Sequence, residues 1–120
     1  IASTIDAAAL CKMADRGQIT GALLDGPLAL DNAISEVAAR TKGINSGVAG
    51  QADILVVPDL ESGNMLAKQL IYLGDAASAG IVLGARVPIV LTSRADARES
   101  RMASCTIARM LAHHYRTSPP

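Results

Sequence analysis

Apolar positions along this chain recur with two different periods. Their alternation predicts helices separated by short strands. Residues 4–16 carry helical spacing, with Ala8, Cys11, Lys12 and Asp15 on one line and Leu10 and Met13 on another, and Gly17 is placed to close the helix. QITGALLDG, residues 18–26, reads as a strand ending in a turn before Pro27. A second helix is expected from Asp31 to Thr41, apolar at Ala33, Ile34, Val37 and Ala38 and ended by Gly43. INSGVAGQ then forms a loop. DILVV, residues 53–57, is a continuous apolar run, as in a central parallel strand buried on both faces. Residues 62–73 give a further helix, closed by Gly74. AGIVLG (79–84) and VPIVLTS (87–93) read as two more strands, with Pro88 at a strand start, where a missing N–H is tolerated. A last helix is expected over 97–115, with Ala103, Thr106, Ile107, Met110, Leu111 and His114 at 3–4 spacing, before a frayed RTSPP tail.

This alternation is the signature of an α/β fold with a mostly parallel sheet. In such sheets ligands bind beyond the carboxyl ends of the strands. Three loops lie there: Asp25-Gly26-Pro27, Pro58 to Asn64, and Thr92 to Arg94.

Composition narrows the classes. At 120 residues the chain is one domain long, and at 50% hydrophobic and 18% charged it is not a disordered chain. Eleven basic residues balance eleven acidic ones, so net charge gives no case for nucleic acid or an anionic membrane surface. No apolar run reaches the ~18–20 residues of a membrane span, and the start shows no signal peptide. Cys11 and Cys105 lack metal-type spacing and read as buried free thiols in a reducing cytoplasm. There is no Phe or Trp and there are only two Tyr, so the core is expected from Ala, Val, Ile and Leu. The chain opens on Ile1 and is expected to be part of something longer.

Several motifs allow either punctuation or chemistry. In PDLESGN, Asp59 can cap a helix, Gly63 permits close backbone approach, and Asn64 can offer its amide at a helix start that attracts anions. In LTSRAD, a strand delivers Ser93 and Arg94 to its end. Arg94 offers a planar fork for phosphate or carboxylate, and otherwise is a surface cation. Asp96 with Glu99 fits an acidic capping box. In LDGPLALDNAIS, Asp31 reads as an N-cap. His113 and His114, about 100° apart on a helix, suit no single metal, and one is expected at the core edge and one in solvent.

Taken together, DGPLALDNAIS, SGVAGQADILVVPDLESGNMLAKQL, AGIVLGARVPIVLTSRAD and RMASC resemble the phosphate acetyltransferase and phosphate butyryltransferase family. The resemblance covers residues 6–112. Its most specific parts are PDLxxGNxxxK, comprising Pro58, Asp59, Leu60, Gly63, Asn64 and Lys68, and the downstream Ser93-Arg94. It implies that residues 1–120 are the C-terminal part of an enzyme about two and a half times as long. The implied fold is a three-layer α/β/α architecture like that of isocitrate and isopropylmalate dehydrogenases, with the site in a cleft between domains.

The implied activity is reversible acyl transfer between coenzyme A and inorganic phosphate through an acyl phosphate, with coenzyme A as substrate and no metal or other cofactor. Ser93 and Arg94 match the family's residues that steady the phosphate and the developing oxyanion, and Gly63, Asn64 and Lys68 match its substrate-binding stretch. Acetyltransferases of the family carry an Asp six positions after the Arg, proposed to take the thiol proton. Here Ser100 stands at that position, which leaves Asp96 and Glu99 as candidate bases. A cytoplasmic homo-oligomer is expected. The alternatives are a non-catalytic binding or assembly module of the same fold, and a related-fold dehydrogenase of a phosphorylated hydroxy acid.

Overall fold

The structure is a computed structural model, and it describes residues 1–118. The chain divides into two units, Ile1–Ser62 and Gly63–Pro120. Pro119 and Pro120 of the expected tail lie outside the described residues.

The first unit is built from short helices and one folded-back loop. Helix α1 runs Ala2–Asp15. Gly17 adopts φ +72, and Gly17 and Gln18 donate N–H to the carbonyls of Ala14 and Met13 at 2.9 Å each, the closure its position suggested. The turn at Asp25–Pro27 lies against this helix: Cys11 Sγ reaches the Gly26 carbonyl at 3.7 Å. Residues 18–26 form no strand. They lack a hydrogen-bonding neighbour, without which an apolar extended segment makes no ladder.

The helix expected over 31–41 is two helices, α2 (Leu30–Ile34) and α3 (Glu36–Thr41). Ser35 breaks it by adopting extended angles, φ −125 and ψ 112, while its Oγ accepts the Ala38 N–H at 3.3 Å as the cap of α3. The break changes the phase of the buried face. Asn32, Ala33 and Ala39 are buried, whereas Ile34 and Val37 are exposed. Asp31 is an ion-pair member, not a cap: its carboxylate sits 3.0 Å from Lys42 Nζ, and that hydrogen bond holds its pKa below the usual carboxylate range.

The INSGVAGQ loop clamps onto the α2–α3 corner. Gly50 donates to the Asn32 carbonyl at 2.7 Å and Ala52 to the Ala33 carbonyl at 3.0 Å. Gly50 has φ +89, and a Cβ there would lie 2.6 Å from Glu36 Cα, so only glycine fits. Residues 53–57 continue without a ladder partner, and Ile54 and Val56 are exposed.

Helix α4 (Leu60–Tyr72) starts where Asp59 Oδ1 accepts the Ser62 N–H at 2.7 Å, as a cap does. That bonding from Ser62 lowers the Asp59 pKa. In the second unit, β1 (Ile81–Val82) pairs with β2 (Ile89–Val90) in register Ile81↔Val90 and Val82↔Ile89.

The pairing is antiparallel, which corrects the mostly parallel sheet expected from the sequence. The physical reason is the connection. Six residues, 83–88, join these strands, and a parallel crossover takes a dozen or more. The four-strand reading is likewise corrected to two short strands among the described residues. Helix α5 (Arg98–His114) packs against both strands.

The packed face of α5 shares only Leu111 with the apolar line read from the sequence. It centres on Ser104, which is 1% exposed, with half-buried Ser100, Ala108, Leu111 and Tyr115 at the same spacing. Ser104 Oγ donates to the Ser100 carbonyl at 2.7 Å and accepts the Gly80 N–H at 2.9 Å. This joins the helix to the residue before β1. Cys105, one position on, is exposed, and so are both His113 and His114, against the expectation that thiols and one histidine would turn inward. No helix of the described residues is long and apolar enough to cross a membrane.

Candidate functional site

Strand β2 ends at Val90, and Arg98 opens α5. The intervening residues make a tight turn that Ser93 and Asp96 hold closed. Asp96 Oδ2 accepts the Ser93 N–H at 2.7 Å, the Asp96 N–H donates to the Ser93 carbonyl at 3.1 Å, and Ser93 Oγ accepts the Ala95 N–H at 3.3 Å. These bonds leave the Ser93 hydroxyl proton available to donate outward. Arg94, at the tip, is exposed and pairs with no carboxylate among the described residues. An unpaired guanidinium and a hydroxyl free to donate, on successive residues of one exposed turn, are groups suited to an anion.

The acidic capping box expected at the start of α5 is absent. Ala97 is the N-cap and its methyl side chain has no acceptor to offer, while the Asp96 carboxylate accepts the Ser93 N–H. Glu99 is exposed in the first turn of α5. Ser100 is half-buried, with its Oγ 3.2 Å from Ser78 Oγ. Gly63, Asn64 and Lys68 lie on α4. Asn64 is exposed and Lys68 is half-buried, with its Nζ 5.5 Å from the Tyr72 ring centroid. No hydrogen bond or ion pair of the described residues, and no helix–strand packing, brings α4 to the Ser93–Asp96 turn. The structure thus ties Ser93 to Asp96 with Arg94 in the same turn, and the described residues show no hydrogen bond or ion pair between these and the α4 residues.

Charge is divided unequally. Residues 1–62 hold eight carboxylates and four basic side chains, whereas residues 63–120 hold three carboxylates and seven basic ones, so the balance is −4 and +4. All three ion pairs of the described residues, Lys12–Asp15, Arg40–Glu36 and Lys42–Asp31, are in the first unit. On α5, Arg98, Arg101 and Arg109 fall within about 80° of one helix face. Sequence reading missed Arg101, whose Nη1 donates to the Asp96 carbonyl at 2.5 Å. A side-chain bond to a backbone oxygen five residues upstream has no motif to announce it.

The first unit carries a shallow cavity of about 220 Å³, lined by Glu36, Arg40, Ser46 and Gln51 among others. None of the sequence-derived candidates lines it. Asn32 Oδ1 is buried nearby in the chain without a hydrogen-bond partner among the described residues.

The family model for Phosphate acetyl/butaryl transferase matches residues 2–109. The chain is 70% identical over 114 residues to a phosphate acetyltransferase of Rickettsia felis, covering 95% of this chain and 33% of that protein. It is 68% identical over 118 residues to a phosphate acetyltransferase of Rhizobium meliloti, covering 98% and 37% respectively. A phosphate butyryltransferase of Clostridium acetobutylicum is 53% identical over 110 residues, 92% of this chain and 36% of that protein. Among solved structures, a branched-chain phosphotransacylase from Enterococcus faecalis V583 superposes with a TM-score of 0.79 at 39% identity, covering 94% of this chain and 40% of the other. That likeness upholds the α/β class. The chain spans about a third of the length of the curated relatives it matches. With nine-tenths of its residues matched by the family model, the chain belongs to the phosphate acetyl/butyryltransferase family.

Proposed function

We propose that this chain is the C-terminal part of a phosphate acyltransferase, which moves an acetyl, butyryl or similar acyl group reversibly between coenzyme A and inorganic phosphate. The observation that carries the reading is the turn at the end of β2, in which exposed Arg94 follows Ser93, whose hydroxyl keeps its proton free to donate. In the direction of acyl-CoA synthesis, the coenzyme thiolate attacks the carbonyl carbon of the acyl phosphate and phosphate leaves. Arg94 holds the phosphate oxygens in a forked contact, and Ser93 donates to the charge that develops on oxygen. Gly63, Asn64 and Lys68 of α4 take the remaining substrate contacts.

Among candidate bases, Asp96 is engaged with Ser93, whereas the Glu99 carboxylate makes no hydrogen bond or ion pair among the described residues. Glu99 is therefore our choice for the group that takes the thiol proton. Coenzyme A serves as substrate, without metal or other cofactor. The full-length protein adopts the layered, dehydrogenase-like architecture, in which segments such as 53–57 gain strand neighbours, and it works as a cytoplasmic homo-oligomer.

The test is thiol release from acetyl-, propionyl- and butyryl-CoA with phosphate, using the protein extended to the full length of its relatives. Arg94→Gln is expected to lower kcat/KM by at least ~10-fold, the scale of one charge-assisted hydrogen bond. Arg94→Lys should be nearly as damaging, because lysine cannot reproduce the fork. Near-normal kinetics in Arg94→Gln would remove Arg94 from the site.

A further inference from the structure

The turn carrying Ser93 and Arg94 is closed by its own residues, and among the described residues one side chain from outside it hydrogen-bonds into it. Arg101 stands on α5, four positions past the Ala97 N-cap, and its Nη1 donates to the Asp96 carbonyl at 2.5 Å. Asp96 is also the residue whose carboxylate holds the Ser93 N–H and whose own N–H holds the Ser93 carbonyl. The guanidinium therefore bonds to one of the two residues that hold the turn closed.

No carboxylate competes for it. Arg101 forms no ion pair among the described residues, and Glu99, two positions away, faces another side of the helix. The contact is also anchored at its base. The Arg101 backbone N–H donates to the Ala97 carbonyl at 3.2 Å, and the next turn of α5 is pinned to Gly80 by buried Ser104. A rigid helix thus fixes the far side of a turn whose near side leaves β2.

We propose that Arg101 is a positioning residue for the Ser93–Arg94 site. By holding the Asp96 carbonyl it fixes the closed turn, and so the direction in which the Ser93 hydroxyl and the Arg94 fork face. One charged N–H acting on a backbone oxygen restrains the turn without contacting substrate. The kinetic part of this proposal rests on the acyl-transfer reading, whereas the structural part does not.

The experiment compares Arg101→Ala, Arg101→Lys and Arg109→Ala in the protein extended to the full length of its relatives. Arg109 lies on the same face of α5 and carries the same charge, but touches nothing in the turn. Amide hydrogen exchange at Ser93, Ala95 and Asp96 is expected to quicken about 5- to 10-fold in Arg101→Ala, the loss of one hydrogen bond's restraint. It should be unchanged in Arg109→Ala, and largely restored in Arg101→Lys, whose ammonium can reach the same carbonyl. In the thiol-release assay, kcat/KM should fall ~10-fold in Arg101→Ala, with the melting temperature near that of the parent and recovery in Arg101→Lys.

Unchanged exchange in Arg101→Ala overturns the proposal, whatever the kinetics do. So does an equal activity loss in Arg109→Ala, which would make the effect one of general positive charge. If the parent releases no thiol in a phosphate-dependent way, the acyl-transfer reading fails, and the exchange measurements still decide the role of Arg101.

Discussion

Asp96 shows how one side chain can be read two ways until its partner is known. A carboxylate beside Ser93-Arg94 fits a base, and a carboxylate before a helix fits a cap. Here it accepts the Ser93 N–H and does not cap α5. Asparagine can accept the same N–H, so Asp96→Asn should keep the turn and most of the activity. Asp96→Ala removes the acceptor and should cost about 1 kcal/mol of stability and lower turnover clearly, because the Ser93 N–H loses its partner. Measured side by side, melting temperature and turnover separate these outcomes. If Asp96→Asn were inactive at parental stability, the carboxylate would be acting as the base after all. The sequence made Ser93, Arg94 and Asp96 legible because a strand end, a short turn and a helix start fall within a few residues. The contact of Arg101 and the burial of Asn32 were not legible, because one depends on a backbone oxygen and the other on packing that no local pattern encodes.

At the scale of elements, helices were easier to read than strands. Helices α1, α4 and α5 lie within two residues of their expected limits, since capping and 3–4 spacing are local properties. A strand exists only through its neighbour. The apolar runs at 18–26 and 53–57 carry strand character without a ladder, and the pair that does form runs antiparallel because its connection is short. The contact between α5 and β1 depends on a residue that hydrophobic spacing would never choose. Ser104 is small enough for close approach, and its hydroxyl both donates and accepts across the junction. Ser104→Ala keeps the size but leaves the Gly80 N–H without its acceptor, so a loss of about 1–3 kcal/mol is expected. Chemical denaturation gives that number, and faster exchange of the Gly80 amide locates it. An unchanged midpoint would show that the hydroxyl contributes nothing across the junction.

At the scale of the molecule, the chain leaves an unusual amount of itself uncovered. Its solvent-accessible surface is 9381 Å² for 12.3 kDa. A folded monomer of that mass exposes ~6,100 Å², and even two separate bodies of half the mass would expose only ~7,400 Å² together. The excess is apolar in part: Ile54, Val56, Leu60 and Leu73 are each more than three-quarters exposed, and only Ala33 and Ala39 are buried apolar residues among those described. Large uncovered apolar faces bind something, whether the rest of a longer protein or another copy. The family match makes the first the natural cover, because the relatives are about three times as long. Three consequences follow for the 120-residue chain expressed by itself. It should bind a hydrophobic dye strongly, it should elute above monomer mass, and it should release no thiol from acyl-CoA with phosphate. The last rests on the proposed reading, in which the substrate cleft is lined from two domains and these residues supply one side of it. The protein extended to the length of its relatives should lose the dye signal and gain turnover. A monomeric, dye-silent chain with turnover matching the extended protein would show that the exposed faces need no cover and that these residues form a complete site alone.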